Sequence, residues 1–258
     1  MDNPIGIFDS GIGGLSILKK LKVLLPNENM VYLADNLNCP YGNKSKKEIL
    51  SLSIKNCKKL SEFNCKVIIV ACNTATTNSI KKLREIIQVP IIGVEPGLKP
   101  AIMQTETKNI GVLATEKTLK SKLFNNALNK NTLNNVKIHE QIGFKLVKML
   151  EDGNYTEKDF NKILKLYLIP MINKNIDYLV LGCTHYHYLR DVIKNIIPEN
   201  IIIVDTISPI NEHIYNTLKA KKILNKNNKK ANIEIFYNGK KLSDKYVDKE
   251  YNLNYLNF

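Results

Sequence analysis

Short apolar runs of four or five residues recur along the chain, each followed by a turn signal and then by a stretch of helical periodicity. Ile5–Phe8, Met30–Leu33, Val67–Ala71 and Ile91–Val94 read as buried strands, as do Ile110–Leu113, Val136–Ile138, Tyr178–Leu181 and Ile201–Val204. Between them, Leu15–Leu25, Lys46–Phe63, Thr77–Ile87, Thr118–Leu128, Thr156–Ile172 and Leu189–Ile196 repeat apolar residues at helical spacing. Runs without polar alternation suit strands covered on both faces, so the pattern predicts α/β units around a mainly parallel sheet. Right-handed crossovers then place helices on both sides of it.

The pattern also repeats. Ile5-Gly6-Ile7-Phe8-Asp9 matches Ile110-Gly111-Val112-Leu113-Ala114, and Val31–Asp35 matches Val136–Glu140, both at an offset of 105 residues. Val67–Cys72 and Tyr178–Cys183 end 111 residues apart, and Val89–Pro96 and Asn200–Ile207 keep that spacing. Four strands in the same order predict two similar lobes, each a mainly parallel sheet flanked by helices. A pseudo-twofold would relate them across a cleft.

Composition narrows the class. With 258 residues, 44% of them hydrophobic, the chain is too apolar for a disordered polycation despite a net charge of +14. Arg84 and Arg190 are the only arginines; every other cation is Lys. Arginine is the usual reader of bases and phosphates, so the charge does not predict a nucleic-acid partner. The densest basic stretch, Lys219–Lys230, alternates with Asn and reads as a solvated helix end and loop. No apolar run approaches membrane-span length, and the first residues lack a secretory signal, so neither membrane nor export is expected. Five cysteines without a Cys-x-x-Cys pair predict free thiols and a cytoplasmic location.

In open parallel sheets, ligands bind beyond the carboxyl ends of the strands. There the chain supplies Asp9-Ser10-Gly11-Ile12-Gly13-Gly14, Asp35, Pro40-Tyr41-Gly42 and Cys72-Asn73-Thr74, with Ala114-Thr115 and Cys183-Thr184-His185 at the corresponding places of the second half. Cys72 and Cys183 each stand between a strand and a helix start, where backbone N–H groups favour a thiolate. Two thiols facing one carbon from opposite sides would remove a proton from one face and return one to the other. That symmetry is the symmetry of racemisation, acting on a small-molecule substrate.

Residues 6–15, Pro40-Tyr41-Gly42, Ala71-Cys72-Asn73-Thr74-Ala75 and Leu181-Gly182-Cys183-Thr184-His185-Tyr186 resemble the signature blocks of the glutamate racemases, of the aspartate/glutamate racemase family. Ile92–Gly97 and Ile110–Thr115 are similar to that family too. The resemblance implies an enzyme that uses no cofactor and no metal and interconverts L- and D-glutamate, supplying D-glutamate for peptidoglycan. It implies that Cys72 deprotonates D-glutamate and Cys183 deprotonates L-glutamate, with Asp9, Glu151 and His185 assisting. It further implies substrate contacts from Ser10, Tyr41, Gly42, Asn73 and Thr184. Asp9 and His185 join these contacts, and a homodimer is among the assemblies that the family forms. The family's two-lobe plan implies a first lobe of 1–95 plus 210–258 and a second of 96–209, with Ile210–Ile223 and Ile233–Phe236 returning to the first lobe as helix and strand. Two positions depart from the family pattern: His187 stands where Pro is usual, and Ile207 follows Asp205-Thr206 where Gly is common.

Blander roles compete at several positions. Cys57 and Cys65 read as small buried hydrophobes, and Cys39 as a spectator near the Pro40 turn. Asp9 could cap the helix beginning near Leu15. Cys183, His185 and His187 alternate on a strand-to-helix loop, a spacing that rarely converges on zinc. Because both arginines fall in helices leading away from the cleft, backbone N–H groups with Ser10, Asn73, Thr74, Thr115 and Thr184 are expected to recognise carboxylates. Two alternatives stay open: a racemase of the same superfamily acting on aspartate or a hydantoin, and a two-lobed amino-acid binding module, which would not need the matched cysteines.

Overall fold

In the computed structural model, residues 2–130, 135–226 and 229–258 are described; positions 227 and 228, inside the basic stretch Lys219–Lys230, lie outside them. Every strand pairing is parallel. The first sheet contains β1 (Ile5–Asp9), β2 (Met30–Ala34), β3 (Val67–Val70), β4 (Ile91–Gly93), β9 (Ile233–Tyr237) and β10 (Asn252–Tyr255), in the order β10-β9-β2-β1-β3-β4. The second contains β5 (Asn109–Ala114), β6 (Lys137–Ile142), β7 (Tyr178–Gly182) and β8 (Ile202–Ile203), in the order β6-β5-β7-β8. The run β2-β1-β3-β4 is thus repeated as β6-β5-β7-β8, and the internal repeat of the sequence becomes two lobes of one design.

The continuous apolar runs are explained by which face each residue serves. Ile5, Ile7, Met30, Tyr32, Val67 and Ile69 pack with Leu15, Leu18 and Leu21 of α1 (Leu15–Leu24). Their neighbours Phe8, Val31, Leu33, Ile68 and Val70 pack on the other face, against Ile49, Cys57 and Leu60 of α2 (Lys46–Glu62) and Leu83 of α3 (Asn73–Ile86). Alternation by two persists, but both faces are dry. The α1-side core continues into the second lobe through α7 (Leu146–Asp152), α8 (Glu157–Ile172) and Leu181. The far face of the second sheet buries Ile110, Val112 and Val180 against α4 (Leu98–Gln104) and Phe124 of α6 (Lys122–Lys130).

Some elements differ from the sequence pattern. The Thr118–Leu128 stretch is broken into α5 (Glu116–Leu119) and α6, because the Ser121 hydroxyl accepts the Phe124 N–H (3.2 Å) and starts a new helix. The expected Leu189–Ile196 helix shrinks to α9 (Arg190–Lys194), preceded by a 3-10 segment over Thr184–Leu189. α3 begins at Asn73, four residues before the apolar periodicity. α4 and α7, seven residues each, are too short to register a helical period. β10 is a polar edge strand with no buried apolar run to mark it. After the second sheet, α10 (Ile207–Ala220) packs on α1, and β9 pairs with β2. No helix among the described residues is long and apolar enough to cross a membrane.

Candidate active site

The carboxyl ends of β1, β3, β5 and β7 face one another across the two lobes, and the turns that follow them carry polar residues into the gap. β1 ends at Asp9, fully buried, whose Oδ1 accepts the Gly11 N–H (3.0 Å) and whose Oδ2 accepts the Thr184 hydroxyl (2.9 Å) from the other lobe. Burial raises the Asp9 carboxyl above its ordinary value, although His185 and these bonds oppose the rise. Asp9 does not cap α1; Gly14 holds that position without a side-chain bond. Its carboxylate is spent across the cleft instead.

Ser10 stands between two sulfurs: its Oγ is 3.8 Å from Cys72 Sγ and 4.0 Å from Cys39 Sγ. Cys72 forms the N-terminal boundary of α3. The helix-start position was expected to favour a thiolate, but burial dominates and pushes the thiol up to about 12. The Asp9 carboxylate and the Cys183 sulfur push the same way, while the Ala75 N–H and the Ser10 hydroxyl pull it down. The uncharged thiol is therefore the resting form of Cys72.

Cys183 lies at the end of β7 with its Sγ 3.9 Å from His185 Nδ1. The other ring nitrogen, Nε2, meets Glu151 Oε1 at 2.5 Å, and the same oxygen accepts the Ile12 N–H at 2.8 Å. Burial disfavours a charged imidazole, yet contacts with Cys183, Cys39 and Glu151 outweigh it, and the His185 pKa is raised well above its ordinary value. The close approach of the lobes requires glycine in the turn. A Cβ at Gly11 would lie 1.8 Å from Glu151 Oε1, and one at Gly13 2.4 Å from Thr184 Oγ1.

The remaining sequence-predicted residues line the same seam. Thr74 Oγ1 and Thr115 Oγ1 are 2.8 Å apart, bridging α3 and the start of α5. Gly42 is buried with its Cα facing the Thr115 side chain. Asn73 Nδ2 donates to Val94 O (3.0 Å). The Tyr41 hydroxyl donates to Asp35 and accepts from Asn56 Nδ2 (2.9 Å), which anchors its turn. Asp35 also accepts from Asn38 (2.8 Å) and Asn238 (2.7 Å). A cavity of about 370 Å³ opens beside Gly42 and Thr115, and another of about 250 Å³ reaches Cys39 and Glu151.

Both arginines are engaged elsewhere, Arg84 with Ile91 O and Arg190 with Ile203 O, each at 3.2 Å. His187 bonds Thr206 Oγ1 (2.9 Å), so the alternating Cys183–His185–His187 trio does not converge. Cys39, read from the sequence as a spectator, lies beside the cleft, with its sulfur 4.0 Å from Ser10 Oγ and in contact with His185. Its position just before the Pro40-Tyr41-Gly42 turn was the available signal. Tyr32 and Tyr188 were not foreseen either; their hydroxyls donate to Gly11 O (2.7 Å) and Ile12 O (3.0 Å) and clamp the glycine-rich turn.

The family model described as Asp/Glu/Hydantoin racemase matches residues 16–210. A glutamate racemase of Ralstonia pickettii is 42% identical over 217 residues, covering 84% of this chain and 77% of its own length. One from Herpetosiphon aurantiacus is 38% identical over 92% of this chain and 93% of its own. Among solved structures, a glutamate racemase isoform of Bacillus anthracis superposes with a TM-score of 0.88 at 30% identity, covering 99% of this chain and 97% of its own. The Francisella tularensis glutamate racemase, solved with D-glutamate, gives 0.85 at 30% identity over 99% and 98%. With two matched lobes, a cysteine at the same strand end in each, and these relatives over nearly its whole length, the chain belongs to the Asp/Glu/hydantoin racemase family.

Proposed function

We propose that this protein interconverts L- and D-glutamate by direct proton transfer at Cα, with Cys72 and Cys183 working from opposite faces. The observation that carries the reading is a polar seam built from both lobes: Cys72 contacts Ser10, Ser10 contacts Asp9, and Asp9 accepts from Thr184, the chain neighbour of Cys183 and His185, which contact each other. In one direction Cys183 takes the Cα proton of L-glutamate, and the Cys72 thiol, protonated at rest, delivers its proton to the other face and is left as the thiolate. In the reverse direction the roles exchange. The burial that raises Cys72 makes its thiolate a stronger base toward a weakly acidic carbon. His185, held by Glu151, supplies or withdraws a proton at Cys183, and Asp9 accepts a hydrogen bond from the substrate ammonium. Backbone N–H groups of the turns around Ser10, Tyr41-Gly42 and Asn73, with the hydroxyls of Ser10, Thr74, Thr115 and Thr184, recognise the carboxylates. The lobes are 1–95 plus 210–258 and 96–209, and the free thiols suit a cytoplasmic supplier of D-glutamate for peptidoglycan.

Deuterium exchange at Cα tests this. In D2O both enantiomers acquire label, and chelators and carbonyl reagents leave the rate unchanged. Cys72→Ser and Cys183→Ser each lower racemisation by about 10²–10⁴-fold, the range for losing a positioned acid–base group. Full activity in either variant rejects the paired thiols. Faster turnover of L-aspartate than of L-glutamate rejects the substrate.

A further inference from the structure

Cys39, Glu151 and His185 bring three metal-binding atoms within 4.8 Å of one another, one each of sulfur, oxygen and nitrogen. Three segments meet here: Cys39 precedes the Pro40 turn, Glu151 lies on α7, and His185 follows β7. Cys39 takes no part in the proton transfers assigned above.

We propose that this cluster is an inhibitory site for a thiophilic divalent cation, zinc being the model ion. Thiolate, imidazole and carboxylate are the three donor types that zinc accepts, and three protein ligands leave a fourth position for water or a substrate carboxylate. Side-chain rotation has to bring the donors to the roughly 2.0–2.3 Å that zinc ligands need. The approximately 250 Å³ cavity that reaches Cys39 and Glu151 provides an entry path from solvent. Lys148, Lys240 and Lys241 also line it and repel every divalent cation alike, so preference for zinc over magnesium comes from the sulfur and nitrogen donors.

Binding releases two protons to solvent, one from the Cys39 S–H and one from the His185 Nε2–H that now faces Glu151, and the thiolate, the freed Nε2 lone pair and a Glu151 oxygen become the protein ligands. His185 then keeps a proton only on Nδ1, facing Cys183 at 3.9 Å, and can no longer exchange one through Nε2 with Glu151. Zinc therefore stops the Cys183 half of the reaction without touching either catalytic sulfur. The inhibition rests on the function proposed above; the binding does not.

The test uses chelator-treated full-length protein titrated with cobalt(II) and, separately, with zinc(II). One equivalent of cobalt is expected to give the visible bands of a four-coordinate ion and a sulfur-to-cobalt charge-transfer band in the near ultraviolet. Zinc is expected to inhibit racemisation reversibly, with activity restored by chelator, while magnesium has no effect. Cys39→Ser should lose the charge-transfer band and need about 10–100-fold more zinc for half-inhibition, the scale on which lost partners weaken metal sites. Half-inhibition of each protein is read relative to its own metal-free exchange rate. A Cys39→Ser protein as sensitive to zinc as the parent overturns the proposal and moves the ion to Cys72 or Cys183. A cobalt spectrum without a sulfur band overturns it independently of any activity. A cobalt site that forms in a protein without racemase activity would reject the proposed function and leave the metal site standing.

Discussion

His185 Nε2 lies 2.5 Å from Glu151 Oε1, while Nδ1 of the same ring faces Cys183 Sγ at 3.9 Å. One imidazole thus connects a carboxylate on α7 to a thiol at the end of β7, and the carboxylate is itself held by the Ile12 N–H of the first lobe. Such an arrangement sets ring orientation and proton affinity together.

Replacing Glu151 by Gln keeps the shape but removes the negative charge. Because Glu151 raises the His185 pKa, the variant should move the basic limb governed by His185 to lower pH and reduce kcat by about 10²–10⁴-fold, the scale of a disturbed acid–base partner. A pH profile of racemisation in both directions checks this; an unchanged limb would separate Glu151 from His185.

The glycine turn tests how tightly the lobes must close. In Gly11→Ala the new methyl would fall 1.8 Å from Glu151 Oε1, so either the carboxylate or the lobe must retreat. The expected result is a loss of about 1–3 kcal/mol in stability, as for overpacked sites, with a larger loss in kcat/KM than in kcat for Glu151→Gln. Thermal unfolding and steady-state rates measured on one preparation separate the two effects.

Far from the site, Lys66 and Glu28 form a buried ion pair at 2.5 Å, with side chains 4% and 3% exposed. Glu28 also accepts the Asn225 N–H at 2.6 Å, which fastens the connection after α10 to the amino-terminal end of the sheet. Lys66→Met leaves a buried carboxylate without its cation and should cost about 3–5 kcal/mol. Since the site sits at the opposite end of the strands, kcat below the unfolding range should not change. Denaturant titration and activity assays give the two readings.

His187 gives a pH signature to stability. Burial lowers its pKa from 6.5 to about 4, with Arg190 acting in the same direction. Between pH 6.5 and 4 the unfolded chain takes up a proton at this residue that the folded chain refuses. Its contribution to stability is therefore complete above 6.5 and is lost progressively as pH falls toward 4. His187→Gln, which preserves a partner for Thr206, should flatten the fall of Tm across that window. An equally steep fall in the variant would assign the slope to other groups.

How much was legible beforehand can be seen residue by residue. Cys72 and Cys183 stood out because each ends an equivalent apolar run beside a residue suited to a helix start, and such runs are local. Asp9, Thr184 and His185 were found through the same strand ends. The contacts of Cys39 were not legible because its partners, Ser10 and His185, are distant in sequence and come from different lobes. The direction of the Tyr41 hydroxyl depended on Asp35 and Asn56, which only folding gathers with Asn238. The rest of α4, α7 and β10 escaped because short or polar elements carry no periodic signal.

By itself, the chain's order of residues determined the strand and helix alternation, the doubling of the design and the pair of matched thiols. These follow from local apolar patterning, which does not need to know what packs against it. Tertiary structure alone decided that Glu151 reaches across to the glycine turn, that Cys39 joins His185, and that burial keeps Cys72 protonated at rest. Desolvation and contact between distant segments are properties of the closed cleft, and they come into being only when the two lobes meet.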